Sequence, residues 1–260
     1  MATDKSKSKL CELVETDKCC PVCGEKLKVG IVRLFGTETR VQVLCPCELE
    51  RRQKERDAID HRNTVRRLYE KSGISLRQQA TTFDSWKKRP GTERACAACE
   101  RYADRFMDEI AKKGTGLYLY GTTGSGKTHL VQAIANALIQ QEVRVMFWNV
   151  PSLFGALKGA YDGRGNADEI LHTAKTAQLL VLDDLGSEKP SEWTRETLYE
   201  LLNYRVENMT PTIVTSNWEP SSPILADENA LGSRMMSRLN DKTLFVPIID
   251  KATDFRKERR

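Results

Sequence analysis

Three features of this 260-residue sequence predict an α/β fold with a small accessory module in front. The first is Gly121-Thr-Thr-Gly-Ser-Gly-Lys-Thr128, which fits the phosphate-loop pattern G-x-x-x-x-G-K-[ST] at every specified position. The second is its setting. An apolar run at 117–120 enters it as a buried strand would, and Leu130, Ile134 and Leu138 recur behind it as the stripe of a helix. The third is Leu179-Leu-Val-Leu-Asp-Asp184, an apolar run ending in two acids. This is how a buried parallel strand delivers carboxylates to the sheet edge where ligands sit.

At 260 residues the chain has room for one good core plus a small module. No run of about 18 apolar residues is present, so no membrane span is expected. The N-terminal basic residues lack a following apolar stretch, which argues against a signal peptide and for the cytoplasm. Eight cysteines in such a compartment point to metal rather than disulfides. Residues 1–113 carry 25 Lys and Arg against 18 Asp and Glu, a net of +7, whereas 114–260 carry 16 against 18. A basic front half favours an anionic partner, of which nucleic acid is the obvious candidate.

In chain order, residues 1–18 are polar and expected to be disordered. Residues 19–47 form a metal-binding module. Cys20 and Cys23 make a knuckle, and a hairpin (28–35 and 39–44, turning at Gly36) brings in Cys45 and Cys47. Two such pairs can place four thiolates tetrahedrally around Zn²⁺. The second pair has only one intervening residue, and Cys19 competes with Cys20. Residues 48–81 read as a charged helical linker, with Glu48 and Glu50 four residues before Arg52 and Lys54. The main domain covers 82–260. Its first helix, at 92–113, shows Tyr102, Phe106 and Ile110 as a stripe, and Cys96 and Cys99 there read as core residues.

Backbone amides from Gly121, Thr122, Thr123, Gly124, Ser125 and Gly126 through Lys127, Thr128 and His129 suit a nucleotide's phosphates. Lys127 adds a point charge and Thr128 a Mg²⁺ ligand, while His129 is suited to packing or capping. A second strand follows at 143–148, then helical stretches at 151–160 and 168–177. Asp183 is placed to hold Mg²⁺, and Asp184 to orient or deprotonate water. A helix at 191–208 leads to a strand at 211–217 whose tip, Asn217, can reach a γ-phosphate. Arg234 and Arg238 lie one helical turn apart, as a finger offered to a neighbour's phosphate would. A last strand at 243–248 precedes a basic tail.

Together these motifs (Thr82-Phe83, 116–130, 179–186, 211–217 and Ser233-Arg-Met-Met-Ser-Arg-Leu239) resemble the AAA+ ATPases of the DnaC/DnaI group of helicase loaders. The cysteine pairs are similar to the zinc-binding front domain of the DnaI branch. The resemblance implies a five-stranded parallel sheet in the order 5-1-4-3-2 and no separate C-terminal lid. It also implies ATP, Mg²⁺ and Zn²⁺ as cofactors, and a DnaB-type replicative helicase hexamer as partner. ATP-dependent self-assembly is a further implication. Lys158, Tyr161 and Arg164 occupy the segment that in related proteins grips single-stranded DNA. Asp184 stands where many AAA+ proteins have Glu, which leaves Glu188 as a second candidate base. Two other readings are an IstB-type transposition helper, an ATPase that binds duplex DNA, and a nucleotide-gated adaptor with negligible turnover. The front cysteines favour the loader.

Overall fold

The computed structural model describes residues 11–34, 37–189, 191–222, 233–241 and 243–248. The chain divides into two compact units between Asn63 and Thr64. In the first, β1 (Cys11–Cys19), β2 (Lys26–Leu34) and β3 (Thr37–Val43) form an antiparallel sheet in that order. β2 and β3 are the expected hairpin, paired from Lys28↔Val43 to Leu34↔Thr37. The expectation of disorder over 1–18 is wrong for its described part, because Cys11 to Cys19 pair with β2 as a third strand. The module thus begins before residue 19. Composition concealed β1 because the sheet is held by backbone pairing rather than burial, and Leu13, Val14 and Val41 are all exposed. Among the described residues up to 63, only Cys20, Gly30 and Cys45 are buried. Hydrophobic burial therefore contributes little to this unit's stability.

Helix α1 (Pro46–Ser72) starts at the second cysteine pair. The i,i+4 spacing is realised in Glu48–Arg52 at 2.9 Å and Glu50–Lys54 at 2.7 Å. These pairs are exposed and each adds little to stability. Gly73, with φ +79°, follows the helix end.

The second unit continues with α2 (Leu76–Gln79) and α3 (Glu93–Asp104), which runs into a π-helical turn (Phe106–Ile110). Next come β4 (Gly116–Gly121), α4 (Lys127–Gln140), β5 (Val145–Asn149), α5 (Val150–Gly159) and α6 (Ala167–Thr176). They are followed by β6 (Leu179–Leu185), α7 (Glu192–Glu207), β7 (Thr212–Ser216), α8 (Ser233–Asp241) and β8 (Thr243–Ile248). The five strands are parallel in the order β5-β6-β7-β4-β8, which is 5-1-4-3-2 read from the other edge. Successive strand residues face opposite ways. Leu117, Leu119, Leu179, Val181 and Ile213 join the α3 and α4 stripes on one side. Tyr118, Leu180, Leu182 and Val214 join α5 to α8 on the other. A sheet covered on both faces explains why its strands read as unbroken apolar runs. The basic tail lies outside the described residues.

One charged residue belongs to this core. Arg205 on α7 is fully buried. Its Nη1 donates to the carbonyls of Ala174, Lys175 and Ala177 at 2.8–3.0 Å, its Nη2 to that of Pro211, and its Nε to Thr212 Oγ1. It thereby ties the last turn of α6 to the start of β7, supplying donors to carbonyls a helix end leaves unpaired. Burial lowers its pKa to about 9, so the guanidinium stays charged near neutrality. Arg205→Met keeps the length but orphans these acceptors, and is expected to cost about 3–5 kcal/mol in a urea melt. A change below about 1 kcal/mol would show that water replaces the guanidinium without penalty.

Candidate nucleotide site and cysteine cluster

The loop after β4 and the C-terminal ends of β6 and β7 enclose a cleft of about 440 Å³. Its lining includes Thr123, Gly124, Gly126, Lys127, Thr128, His129, Asp183, Asp184 and Asn217 from the expected set, together with Asn149 and Thr215. Lys127 Nζ donates to Asn217 Oδ1 at 2.8 Å and to the carbonyls of Gly121 and Thr122 at 2.9 and 3.0 Å. Thr128 Oγ1 donates to the Asp183 carboxylate at 3.0 and 3.1 Å. Four side chains expected to act together thus meet, although they come from three segments of the chain.

The acidic pair owes its geometry to Thr215, which the sequence reading did not single out. The β6–β7 register is interrupted between Leu182 and Leu185, and Asp184 takes a positive φ of +65°. A non-glycine residue in that region carries strain. The buried Thr215 hydroxyl donates to Asp183 Oδ1 at 2.7 Å and accepts from the Asp184 N–H at 2.8 Å, so one side chain holds both ends of the bulge. Burial raises the Asp183 pKa, against the Thr215 and Thr128 hydrogen bonds that favour its ionised form. Glu188, the second candidate base, does not line the cleft; its Oε2 accepts from the Gly186 N–H at 2.8 Å.

His129 packs as expected. Its ring lies 5.2 Å from that of Trp86, and Nε2 reaches the Thr82 carbonyl at 3.2 Å. Burial lowers its pKa, which keeps it neutral at pH 7. Arg234 is exposed and Arg238 half-buried on α8, and neither lines this chain's own cleft. Lys158 and Tyr161 converge on Trp193 of α7, with Nζ 5.6 Å from the ring centroid and the tyrosine ring at 6.0 Å. Tyr161 is 61% exposed. Arg164 instead pairs with Asp162 at 3.4 Å. Trp193 lies far enough along the chain that no local pattern links it to Tyr161.

In the front unit the sulfurs of Cys20, Cys23, Cys45 and Cys47 all lie within 4.8 Å of one another. Cys45 Sγ is 3.3 Å from Cys20 and 3.0 Å from Cys47. Zn–S bonds of about 2.3 Å imply sulfur separations of about 3.8 Å, so the four converging sulfurs fit that metal once the closer pairs spread slightly. Cys19 is exposed and outside the cluster. The backbone explains both spacings. Gly24, at φ +73°, closes the knuckle with its N–H on the Cys20 carbonyl. The amides of Cys23 and Val22 pull the Cys20 thiol down to about 6. In the second pair Pro46 opens α1, so the first helical turn folds Cys47 back beside Cys45 with a single intervening residue.

A parallel sheet in this order, with a phosphate loop on its first strand and an acidic pair on its third, defines an ATP-binding protein of the AAA+ fold. Residues 105–260, more than half of the chain, match the family of IstB-like ATP binding proteins. The chain belongs to that family. The replicative helicase loader DnaI of Bacillus subtilis (strain 168) is 39% identical over 109 residues, which is 42% of this chain and 35% of that relative's length. The crystal structure of the DnaC helicase loader has a TM-score of 0.59 and 28% identity, covering 67% of this chain and all of that one. The crystal structure of DnaI has a TM-score of 0.58 and 30% identity, covering 68% and 96%. No helix among the described residues is long and apolar enough to cross a membrane.

Proposed function

We propose that this chain is an ATP-driven loader that delivers a DnaB-type replicative helicase hexamer onto single-stranded DNA. The supporting observation is that Lys127, Thr128, Asp183 and Asn217 meet in one cleft, in a chain whose relatives are named helicase loaders. In this reading the loop from Gly121 to His129 cradles the triphosphate, with Lys127 against the β- and γ-phosphates. Thr128 and Asp183 would hold Mg²⁺, which would neutralise phosphate charge. Asp184 takes a proton from the attacking water as its oxygen bonds to the γ-phosphorus and the bond to the β–γ bridging oxygen breaks. Asn217 holds Lys127 and the γ-phosphate in register. Arg238, with Arg234 as the alternative, completes a neighbouring chain's site in an ATP-dependent assembly. Cys20, Cys23, Cys45 and Cys47 would hold Zn²⁺, which would stabilise the front module that meets the helicase. Lys158, Tyr161 and Arg164 contact the DNA strand through its phosphates and bases.

The test uses closed single-stranded circular DNA and the replicative helicase of the same cell. Helicase is expected to be retained on the circles only when this chain and ATP are both present, and not with Lys127→Ala. A chain that ignores the helicase but carries a transposase to duplex DNA would overturn the loader reading in favour of the transposition helper.

A further inference from the structure

The back of the phosphate loop is held by a residue outside every motif. Arg89 is 9% exposed. Its Nη2 donates to the Ser125 carbonyl at 2.5 Å, and its Nη1 lies 3.5 Å from the Gly124 carbonyl. It reaches them from the turn Arg89-Pro-Gly-Thr92. There the Thr92 N–H donates to the Arg89 carbonyl at 3.0 Å and Gly91 has φ +90°. Proline second and a positive-φ glycine third suit a type II turn. Thr92 locks it, its hydroxyl donating to the Arg89 carbonyl at 2.8 Å. Trp86 completes the support. Its ring lies 5.4 Å from the Arg89 guanidinium carbon, and a Cβ on Gly126 would come within 2.5 Å of it.

We infer that Arg89 is a positioning residue for nucleotide binding: it fixes the loop's peptide planes so that their N–H groups face the phosphates. In a planar trans peptide the N–H points away from the C=O. A guanidinium that holds the Gly124 and Ser125 carbonyls on one side therefore turns the Ser125 and Gly126 N–H groups to the other. The Ser125 N–H turns to the Thr122 carbonyl across the loop at 3.3 Å, so the Gly126 N–H is the one the brace presents to a phosphate. The planar fork matters as much as the charge, because one ammonium cannot match two carbonyls with the same geometry. Without the brace, ATP must order the loop as it binds, and affinity falls by that cost.

This inference rests on the nucleotide reading of the loop, and the controls separate the two. Titration with a fluorescent ATP analogue is compared for wild type, Lys127→Ala, Arg89→Lys, Arg89→Met and Arg89→Ala, beside melting curves without nucleotide. Wild type that binds no ATP would sink the nucleotide reading itself. If wild type binds and Lys127→Ala does not, Arg89→Met is expected to bind about tenfold or more weaker, on the scale of a lost charge-assisted hydrogen bond. Arg89→Lys should fall close to it, with both melting near wild type. Added guanidinium should restore part of the affinity of Arg89→Ala and none of Lys127→Ala. Full affinity in Arg89→Lys would assign the effect to charge alone and overturn the inference. So would unchanged binding in Arg89→Met, or melting curves that collapse in both variants, which would make Arg89 a fold residue only.

Discussion

Cys45→Ser is expected to release the metal and unfold residues 11–47, leaving the nucleotide cleft intact. The front sheet has almost no core, since Cys20 and Cys45 themselves are two of its three buried described residues. Structural zinc binding contributes about 10–16 kcal/mol, more than such a sheet can supply otherwise. Metal analysis of the purified chain should give about one zinc per chain. Cys45→Ser should hold almost none and become sensitive to protease between residues 11 and 47. Cys96→Ser is the control, because Cys96 lies on α3 within the apolar core and is not one of the clustered cysteines. Equal zinc loss from both variants, or from neither, would break the four-cysteine assignment.

Arg238→Ala is expected to bind ATP about as well as wild type and hydrolyse it about 10³-fold or more slowly, the effect of losing an arginine finger. The buried face of α8, Met235, Met236 and Leu239, packs into the second unit, while Arg238 remains half-buried and outside the chain's own cleft. A residue so placed can act on a neighbour's nucleotide without affecting its own. Mixing is the decisive measurement. If Arg238 is the finger, Arg238→Ala keeps an intact cleft and lacks it, and Lys127→Ala keeps it without a working cleft. If light scattering shows that they co-assemble, the mixture should regain part of the lost turnover. Arg234→Ala in the same scheme decides between the two arginines. A co-assembled mixture that stays inactive for both would show that this helix supplies no finger.

Much of the nucleotide site was legible because its residues are bound by local constraints. The loop needs glycines at set intervals, its helix an apolar stripe, and its acids a strand end, so Lys127, Thr128 and Asp183 stand in recognisable surroundings. The parallel strands could be read because burial on both faces forces unbroken apolar runs. Likewise, four cysteines in pairs across a hairpin announce their chemistry by spacing. Strand β1 was missed because none of its described side chains is buried, and a strand held mainly by its neighbour's backbone leaves little pattern in its side chains.

By itself, then, the sequence determined the fold class, the strand order through its family's motifs, the phosphate loop and the cysteine pairs, with Cys19 still competing with Cys20. Only the tertiary structure decided which partners those groups obtain. It chose Cys20 over Cys19, put Asp184 rather than Glu188 at the cleft, and set Thr215 across the acidic bulge. It also placed Arg89 behind the loop from 36 residues upstream, and buried Arg205 among carbonyls up to 31 residues away. Arginine in a sequence reads as surface, because burying an unpaired charge is costly. The cost is offset here only by carbonyls that distant segments bring together, and no local periodicity records that meeting.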